Sequence, residues 1–402
     1  MATNKEQNKL NVPHLRFPEF HGEWEKCKLG DIATLTKGSG ISKDQRSATG
    51  TPCILYGELY TTYKSEVINY VVSKTDISDK NLVRSCANDI IIPSSGETAI
   101  DISTARCVLS PDVLLGGDLN IIRLKDGDGR FFSYQLNGVR KYDIAKIAQG
   151  VSVVHLYGES IKGLTVSFPS NKEQQKISTL LSLIDERIAT QSKLIEDLKK
   201  LKSAIIDYAI NSLDSGFVKF GSLYEMAGEG GTPTTSNASF YDNGKIPFIK
   251  IDDLKKKYLT ENKDFITELG LQKSSAWLVP SRSILFSNGA TIGEITITTY
   301  PVCTKQGILG IVPKPNIDVE FLYYFMSSSY FKKAVSRIVT EGTMKTAYLK
   351  DINNIRCPIP IKETQQDIAK MPSALNSKID FEQSILKLFC SQKQYLLRQM
   401  FM

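Results

Sequence analysis

The 402-residue sequence lacks the short motifs that mark nucleotide binding and common enzyme chemistry. No G-x-x-x-x-G-K-[ST] segment occurs, which argues against a P-loop nucleotide site. No Pro-Pro dipeptide occurs, so the Asn-Pro-Pro-aromatic type of motif that an adenine methyltransferase needs is absent. The three histidines, His14, His21 and His155, all lie in the first half of the chain, which argues against a duplicated acid/base or metal site.

Paired cysteines and long apolar runs are also missing. The seven cysteines are odd in number and never form a C-x-x-C pair, so neither a disulfide framework nor a zinc ribbon is indicated. No apolar run approaches the roughly 18 residues of a membrane span. The polar start MATNKEQNKLN lacks the apolar segment of a signal peptide. We therefore predict a cytoplasmic protein without membrane contact.

The composition is that of a globular protein with more than one domain. Apolar residues make up 41% and charged residues 23% of the chain, and 402 residues suffice for two or three separate cores. Lysine and arginine exceed aspartate and glutamate by seven. This positive charge suits contact with a polyanion but does not require it, since many soluble proteins are equally basic.

One stretch, residues 170–216, carries an uninterrupted helical heptad pattern in which eight of ten a and d positions are apolar. Ser170 and Glu173 match a capping box, and Gly216 follows the predicted helix end. A helix of about 39 residues would be roughly 58 Å long, too long for one compact domain to cover, so the pattern predicts a partner helix. The predicted seam residues on this helix are Ile177, Leu181, Ile184, Ile188, Ile195, Leu198 and Ile205.

The predicted partner is the C-terminal stretch 361–402, which repeats the pattern 191 residues later. Gln174-Gln175 recurs as Gln365-Gln366. If the two helices pair as an antiparallel coiled coil about a pseudo-two-fold axis, Gln191 near the middle of the first would face its equivalent, Glu382. The predicted seam residues on the second helix are Ile368, Leu375, Ile379, Leu386, Phe389 and Leu396.

Pro372 complicates the second helix, because it occupies a d position where the first helix has Leu181. A proline inside a helix removes a hydrogen bond and clashes with the preceding turn, at a cost of about 3 kcal/mol or more. We therefore predict a kink, or a helix that begins only near Met371. The heptads also fit a plainer alternative, in which each helix packs on the surface of its own domain.

The remainder of the chain repeats in the same order. KLGDI at 28–32 recurs as KFGSL at 219–223, and FFSYQL at 131–136 recurs as FLYYFM at 321–326. Short β-rich runs and a helical pattern at 131–148 predict domains that mix strands and helices. We predict an α+β fold in which two similar domains are separated by two long helices with a pseudo-two-fold repeat. The predicted segments are an N-terminal arm (1–23), a first domain (24–168), a first long helix (169–216), a second domain (217–360) and a second long helix (361–402).

Polar loops at matching positions of the two domains point to nucleic acid. They carry small hydroxyl, amide, basic and aromatic side chains, the types that contact base edges and phosphates. Any one of these loops also fits an ordinary solvated turn, and Lys255-Lys256-Lys257 is most simply a solvated face. The candidate DNA-binding residues are Lys37, Ser39, Lys43, Tyr56, Glu58, Ser94, Ser95, Asn120, Ser152 and His155 in the first domain, and Thr232, Thr234, Thr235, Lys250, Asp252, Asn288, Lys305, Gln306, Thr343 and Lys345 in the second.

Several segments together resemble one known family. They are PHLRFPEFHGEWEKCKLGDI at 13–32, GGTPTTSNASFYDNGKIPFIKIDDL at 230–254, ILFSNGATIGEI at 284–295, EQQKI at 173–177 and TQQDI at 364–368. On these motifs the chain resembles the specificity (S) subunit of type I restriction–modification systems. The first domain departs from the pattern, because KGSGIS at 37–42 stands where the second domain has GGTP.

The resemblance implies a non-catalytic subunit with two target-recognition domains. Each domain would recognise one half of a split, asymmetric site in double-stranded DNA, and the coiled coil would set the spacer. Two modification (M) subunits and restriction (R) subunits are the implied partners, in a complex that methylates adenine N6 and cleaves DNA with ATP. S-adenosylmethionine, ATP and Mg are expected on those partners, with no cofactor and no metal in this chain.

Two alternatives from other classes remain open. The chain could be a coiled-coil scaffold that binds only protein, without sequence-specific DNA binding. It could also be a DNA enzyme with an unrecognised site, although Pro111-Asp112 and Asp118-Leu119-Asn120 match a PD-(D/E)xK nuclease motif only superficially and lack its lysine.

Overall fold

The computed structural model describes residues 11–77, 81–289, 291–339 and 345–402. The chain divides into two compact units. Unit 1 comprises Met1–Ser192 and Ser384–Met402, and unit 2 comprises Lys193–Gln383. Each unit therefore contains one of the two repeated domains and a part of each long helix. Within the described residues, no helix is both long and apolar enough to cross a bilayer.

Unit 1 combines short strands with short helices before the first long helix. Its strands are β1 (Glu25–Lys28), β2 (Ala33–Lys37), β3 (Arg46–Ser47), β4 (Thr51–Ile54), β5 (Val67–Ile68), β6 (Lys74–Thr75), β7 (Asp89–Pro93), β8 (Ser95–Gly96), β9 (Arg106–Val108), β10 (Leu114–Leu115), β11 (Leu119–Leu124), β12 (Val154–His155) and β13 (Thr165–Phe168). Its short helices are α1 (Leu29–Ile32), α2 (Glu58–Thr61), α3 (Ala99–Ile102), α4 (Gly129–Asn137), α5 (Lys141–Ile147) and α6 (Gly158–Lys162). The first long helix, α7, spans Asn171–Asn211.

Unit 2 has the same mixture, and the second long helix, α12, spans Lys362–Gln399. Its strands are β14 (Phe217–Lys219), β15 (Tyr224–Glu229), β16 (Ile246–Ile249), β17 (Tyr258–Leu259), β18 (Asp264–Ile266), β19 (Ile284–Ser287), β20 (Ile295–Thr298), β21 (Cys303–Thr304), β22 (Ile308–Pro313) and β23 (Arg356–Pro358). Its short helices are α8 (Glu268–Gln272), α9 (Val319–Ser327), α10 (Ser329–Ile338) and α11 (Leu349–Ile352). Single 3₁₀ turns lie at Lys43–Gln45, Phe220–Ser222, Ala238–Phe240 and Ile251–Lys255.

The main sheets of the two units have the same topology, which confirms the predicted internal repeat. Unit 1 has the strand order β2-β11-β7-β9-β5, and unit 2 has the order β15-β22-β19-β20-β17. In each sheet the last pair, β9 with β5 and β20 with β17, is parallel, and the other neighbours are antiparallel. A smaller sheet is also alike in the two units, since β4 pairs in parallel with β10 in unit 1 and β16 pairs in parallel with β21 in unit 2.

The helical pattern at 131–148 forms two helices, so the single helix that we predict there is wrong. Helix α4 ends at Asn137, and Gly138 leaves the helical region with ψ of −106°. The side chain of Asn137 explains the break, because its amide donates to the carbonyl of Ala105 at 2.7 Å and accepts from the Ala105 N–H at 3.0 Å. Unit 2 breaks at the equivalent place, where the Ser328 side chain caps α10.

The repeated glutamines that open the long helices have the same task in each unit. Gln174, buried at 2% exposure, accepts from the N–H of Asp128 at 3.0 Å and donates to the carbonyl of Pro169 at 2.8 Å. In unit 2, Gln365 accepts from the N–H of Asp318 at 2.8 Å and donates to Pro360 at 2.9 Å. Asp128 and Asp318 are the N-cap residues of α4 and α9. Each glutamine therefore joins a long helix to the helix that packs on the sheet.

The two long helices contact each other within each unit. In unit 1, Lys393 of α12 pairs with Asp185 of α7 at 2.5 Å. In unit 2, Lys202 of α7 donates to Asn376 of α12 at 2.9 Å. In each unit, α7 therefore lies directly against α12.

The predicted seam residues are all buried or half-buried. Ile177, Leu181, Ile184, Ile195 and Ile379 are buried, and Ile188, Leu198, Ile205, Ile368, Leu375, Leu386, Phe389 and Leu396 are half-buried. Their neighbours are the domain cores: Ile177 and Leu181 belong to the core of unit 1 with Leu397 and Phe401. Ile206, Ile210 and Ala369 belong to the core of unit 2.

Helix α12 is continuous through Pro372, so the predicted late start near Met371 is wrong. The helix begins at Lys362, ten residues before the proline. Pro372 lacks an N–H, and the carbonyl of Ile368 therefore cannot accept the usual helical hydrogen bond from it. Pro372 is buried and Ile368 packs on the core of unit 2, so tertiary packing holds the first turns of the helix.

Candidate nucleic-acid interface

In unit 2, the strand ends bring the predicted loops to one edge of the main sheet. Strand β15 ends at Glu229, which lies opposite Leu309 near the start of β22. Strand β19 ends at Ser287, which lies opposite Ile308. Because neighbouring strands are antiparallel, the loops after β15 and β19 and the loop before β22 share this edge.

Hydrogen bonds tie these loops to one another. The N–H of Gln306 donates to Oγ1 of Thr232 at 3.3 Å, and the N–H of Asn288 donates to the carbonyl of Gly307 at 3.0 Å. The N–H of Ala347 in turn donates to the carbonyl of Asn288 at 2.9 Å. We call the resulting surface loop cluster 2; it comprises residues 230–236, 250–253, 287–289, 304–307 and 345–347.

Unit 1 has the equivalent surface, loop cluster 1, which comprises residues 37–43, 55–58, 94–97, 116–120 and 149–157. The N–H of Gly38 donates to the carbonyl of Leu119 at 3.0 Å, and the N–H of Leu156 donates to the carbonyl of Ser94 at 2.9 Å. A Cβ atom on Gly38 would lie 2.0 Å from the carbonyl oxygen of Gly116, so only glycine allows this close approach of the two loops.

The structure separates the first-domain candidates by exposure. Lys37, Lys43, Tyr56, Ser152 and His155 are exposed, Ser39 and Ser95 are half-buried, and Glu58, Ser94 and Asn120 are buried. Burial corrects the prediction for the last group. The carboxylate of Glu58 accepts from the N–H of Leu55 at 2.9 Å and from Ser73, and Asn120 donates to the carbonyl of Leu156 at 2.9 Å. The side chains of Glu58 and Asn120 therefore support the loops.

The second-domain candidates are mostly exposed. Thr234, Thr235, Lys250, Asp252, Lys305, Gln306 and Lys345 are exposed, and Thr232 is half-buried. Asn288 is the exception, because it is 1% exposed and its Nδ2 donates to the carbonyl of Ala347 at 3.3 Å. It is therefore a loop support rather than a surface contact. Thr343 lies outside the described residues.

Two of the charged candidates in cluster 2 already form ion pairs within the protein. Lys250 pairs with Asp264 at 2.8 Å, and Lys255 pairs with Asp252 at 3.0 Å. The hydrogen bond from Lys255 lowers the pKa of Asp252 below its ordinary value. These residues line one groove with Lys256. Such exposed pairs are weak and are screened by salt, so a phosphate can compete for either lysine.

Sequence reasoning missed one basic residue beside loop cluster 1. Arg46 lines a cavity of about 770 Å³ together with Lys43, Tyr56 and Asp118. Its side chain is 40% exposed and lies 3.7 Å from the buried carboxylate of Glu58. In the sequence, the position of Arg46 shortly after the 37–43 loop was the available indication that it belongs with the candidate residues.

Comparison with known proteins gives matches over most of this chain. The type I restriction enzyme MjaIX specificity subunit of Methanocaldococcus jannaschii is 23% identical over 389 residues, covering 89% of this chain and 88% of that protein. The crystal structure of the S subunit of a type I restriction–modification system from M. genitalium superposes with a TM-score of 0.61 at 19% identity, covering 97% of this chain and 99% of that one.

A second solved structure has a similar fold. It comes from work on complex assembly and conformational transition in the type I restriction–modification system, with a TM-score of 0.58 at 14% identity over 93% of this chain and 96% of that one. The family model of the type I restriction modification DNA specificity domain matches twice, at residues 21–200 and 213–388. The chain therefore belongs to the family of type I restriction–modification specificity subunits.

Proposed function

We propose that this chain is the non-catalytic, DNA-recognising subunit of a type I restriction–modification complex. Each unit contacts one half of a bipartite, asymmetric site in double-stranded DNA through its loop cluster. The two halves are separated by a spacer whose length the paired helices α7 and α12 set.

One observation carries this proposal: two loop clusters lie at equivalent edges of sheets with the same topology but expose different side chains. Cluster 1 exposes Lys37, Lys43 and Tyr56, whereas cluster 2 exposes Thr234, Lys305 and Gln306. Hydroxyl, amide and basic groups are the ones that contact base edges and phosphates. Equivalent scaffolds with different surfaces are what recognition of two unlike half-sites requires.

The long helices support the second part of the proposal. Helix α7 has 41 residues, or roughly 60 Å at 1.5 Å per residue, and it packs on α12 in each unit. We propose that their outer faces dock two modification subunits and that restriction subunits join the same complex. S-adenosylmethionine, ATP and Mg would then act on those partners, and this chain would hold no cofactor.

The test is DNA binding by the chain together with its modification subunit. We expect tight binding to a duplex that carries the recognition site and weak binding to a matched duplex without it, with the affinity falling as salt rises because phosphate contacts release counterions. Equal affinity for both duplexes would support the protein-binding scaffold instead.

A second arm tests the enzyme alternative. The purified chain alone is incubated with site-bearing DNA, S-adenosylmethionine, ATP and Mg. We expect neither methylation nor cleavage until the partner subunits are added. Activity of the chain alone would contradict the non-catalytic role.

A further inference from the structure

Residues Lys305, Gln306 and Gly307 form a fixed tip between β21 and β22, which we call tip 305–307. The N–H of Lys305 donates to the carbonyl of Ile249 at 2.9 Å. The N–H of Gly307 donates to Oε1 of Glu229 at 2.9 Å, and Gly307 has a φ of +90°, a conformation that favours glycine. The N–H of Gln306 donates to Oγ1 of Thr232, so each backbone N–H of the tip donates to a residue outside the tip.

The two side chains of this tip are available to a ligand. Lys305 and Gln306 are exposed, and within residues 11–77, 81–289, 291–339 and 345–402 neither side chain has a hydrogen bond or an ion pair. Lys250 and Asp252 differ from them, because both are already ion-paired. A ligand therefore contacts the tip without first breaking an interaction with another described residue.

The chemistry of the pair matches purine edges in the major groove. A glutamine amide carries a donor beside an acceptor, and this pair fits N6 and N7 of adenine. A lysine ammonium donates to O6 and N7 of guanine. Because the backbone beneath both side chains is fixed, binding needs to order only the two side chains.

Unit 1 lacks side chains at the equivalent positions. The residue before β11 is Asp118, with φ of 59°, and it corresponds to Gly307 before β22. The two preceding residues, which correspond to Lys305 and Gln306, are Gly116 and Gly117. The tip of unit 1 therefore carries only the side chain of Asp118, which lacks the donors of lysine and glutamine, so the two units differ at this tip.

Resting on the proposed function, we propose that tip 305–307 recognises two neighbouring purines in the half-site of unit 2. Gln306 contacts an adenine and Lys305 contacts a guanine, both in the major groove. Glu229 and Thr232 are positioning residues, since each accepts a backbone N–H of the tip.

The experiment measures the affinity of the complex with its modification subunit for duplexes in which each position of the site is replaced in turn. We expect Gln306→Ala to lose discrimination at one adenine by roughly 5- to 150-fold, and Lys305→Ala to lose it at the adjacent guanine by a similar factor. The spacer and the other half-site remain unchanged.

The positioning role has its own matched pair of variants. Glu229→Gln keeps an oxygen that accepts the Gly307 N–H, and we expect it to retain the wild-type preference. Glu229→Ala should weaken discrimination at both purines together. Lys333→Ala is the charge control, because it removes an exposed positive charge on α10. It should leave every base preference unchanged.

Three results would overturn the inference. They are unchanged preferences in Lys305→Ala and Gln306→Ala, a uniform loss of affinity for all sequences, and preference that is relaxed only at base pairs other than an adjacent A·T and G·C pair. The site preference of the wild-type complex distinguishes a wrong assignment of the tip from a wrong proposed function. If the wild type prefers no bipartite site, the proposed function itself is wrong, whereas a bipartite site that the tip variants do not alter contradicts only the assignment of the tip.

Discussion

Units 1 and 2 share a position where α7 meets α12 but carry different charges there. Asp185 and Lys393 form an ion pair in unit 1. Their equivalents 191 residues away in unit 2 are Asn376 and Lys202, which form a hydrogen bond between a neutral and a charged group. The lysine is retained in each unit, while its carboxylate partner is present only in unit 1.

A second pair of equivalent residues extends the difference. Glu66, which precedes β5, pairs with Lys393 and is 8% exposed. The equivalent residue before β17 is Lys257, which is 5% exposed and pairs with Glu320 and Ser373. Lys257 therefore is not part of the solvated face that its sequence neighbours suggest.

The surroundings shift the pKa values of the two seam lysines in opposite directions. Burial lowers the pKa of Lys393, but the charges of Glu66 and Asp185 outweigh it and the pKa lies above its ordinary value. Burial lowers the pKa of Lys202 below its ordinary value; Asp380 opposes this shift and Lys257 adds to it. The same fold therefore contains a lysine whose charge is compensated by carboxylates in unit 1, and a lysine whose charge is poorly compensated in unit 2.

The largest expected effect comes from removing each lysine in turn. Lys393→Met leaves two buried carboxylates without their partner and should destabilise unit 1 by about 3–5 kcal/mol. Lys202→Met removes a hydrogen bond to neutral Asn376 and should change the stability of unit 2 by no more than about 1 kcal/mol.

Each unit contains one tryptophan, Trp24 in unit 1 and Trp277 in unit 2, which makes this measurement specific. Urea unfolding followed by fluorescence in Trp277→Phe and Trp24→Phe backgrounds reports each unit separately. Equal losses from Lys393→Met and Lys202→Met would contradict the charge difference.

An intermediate and equal effect is expected at the repeated glutamines. Gln174→Ala removes two hydrogen bonds and Gln365→Ala removes three, of which the bond to Asn316 is long at 3.3 Å. Each variant leaves the N–H of Asp128 or Asp318 without its partner, which should cost about 2–3 kcal/mol in the corresponding unit. The same two fluorescence backgrounds measure both losses. A large loss in only one unit would show that the glutamines do not have equivalent tasks.

The smallest expected effect is a difference in pH dependence. The pKa of Lys393 is raised on folding, so its contribution to stability is present below the ordinary lysine range and is lost as pH rises through the folded pKa. The pKa of Lys202 is lowered, so unit 2 gains stability as pH rises through that lower value. Subtracting the Met variants from the wild type, from neutral pH to about pH 11, isolates each lysine. Parallel trends would contradict the assignment.

The repeat and the two long helices could be predicted from the sequence because they depend on patterns that recur. The heptads and the paired glutamines at 174 and 365 indicate which segments form the two long helices. The likeness of the two main sheets follows as well, since both halves repeat the same runs of strand-forming residues, whereas their strand order does not.

Side-chain direction could not be predicted in the same way. Asn120 and Asn288 have the polarity of DNA-contacting residues, but each is used to bond the carbonyl of a neighbouring loop. The break at Gly138 depends on a contact between Asn137 and Ala105, which are distant in sequence. The continuation of α12 through Pro372 depends on burial, which no local pattern reports.

The most direct measurement is methylome sequencing of a host that carries this chain with its modification subunit, compared with a chain in which residues 217–360 are exchanged for those of a relative. The proposal predicts a split motif in which the exchange changes one half and leaves the other half and the spacer unchanged. A change in both halves, or methylation without a bipartite motif, would contradict recognition by two independent units.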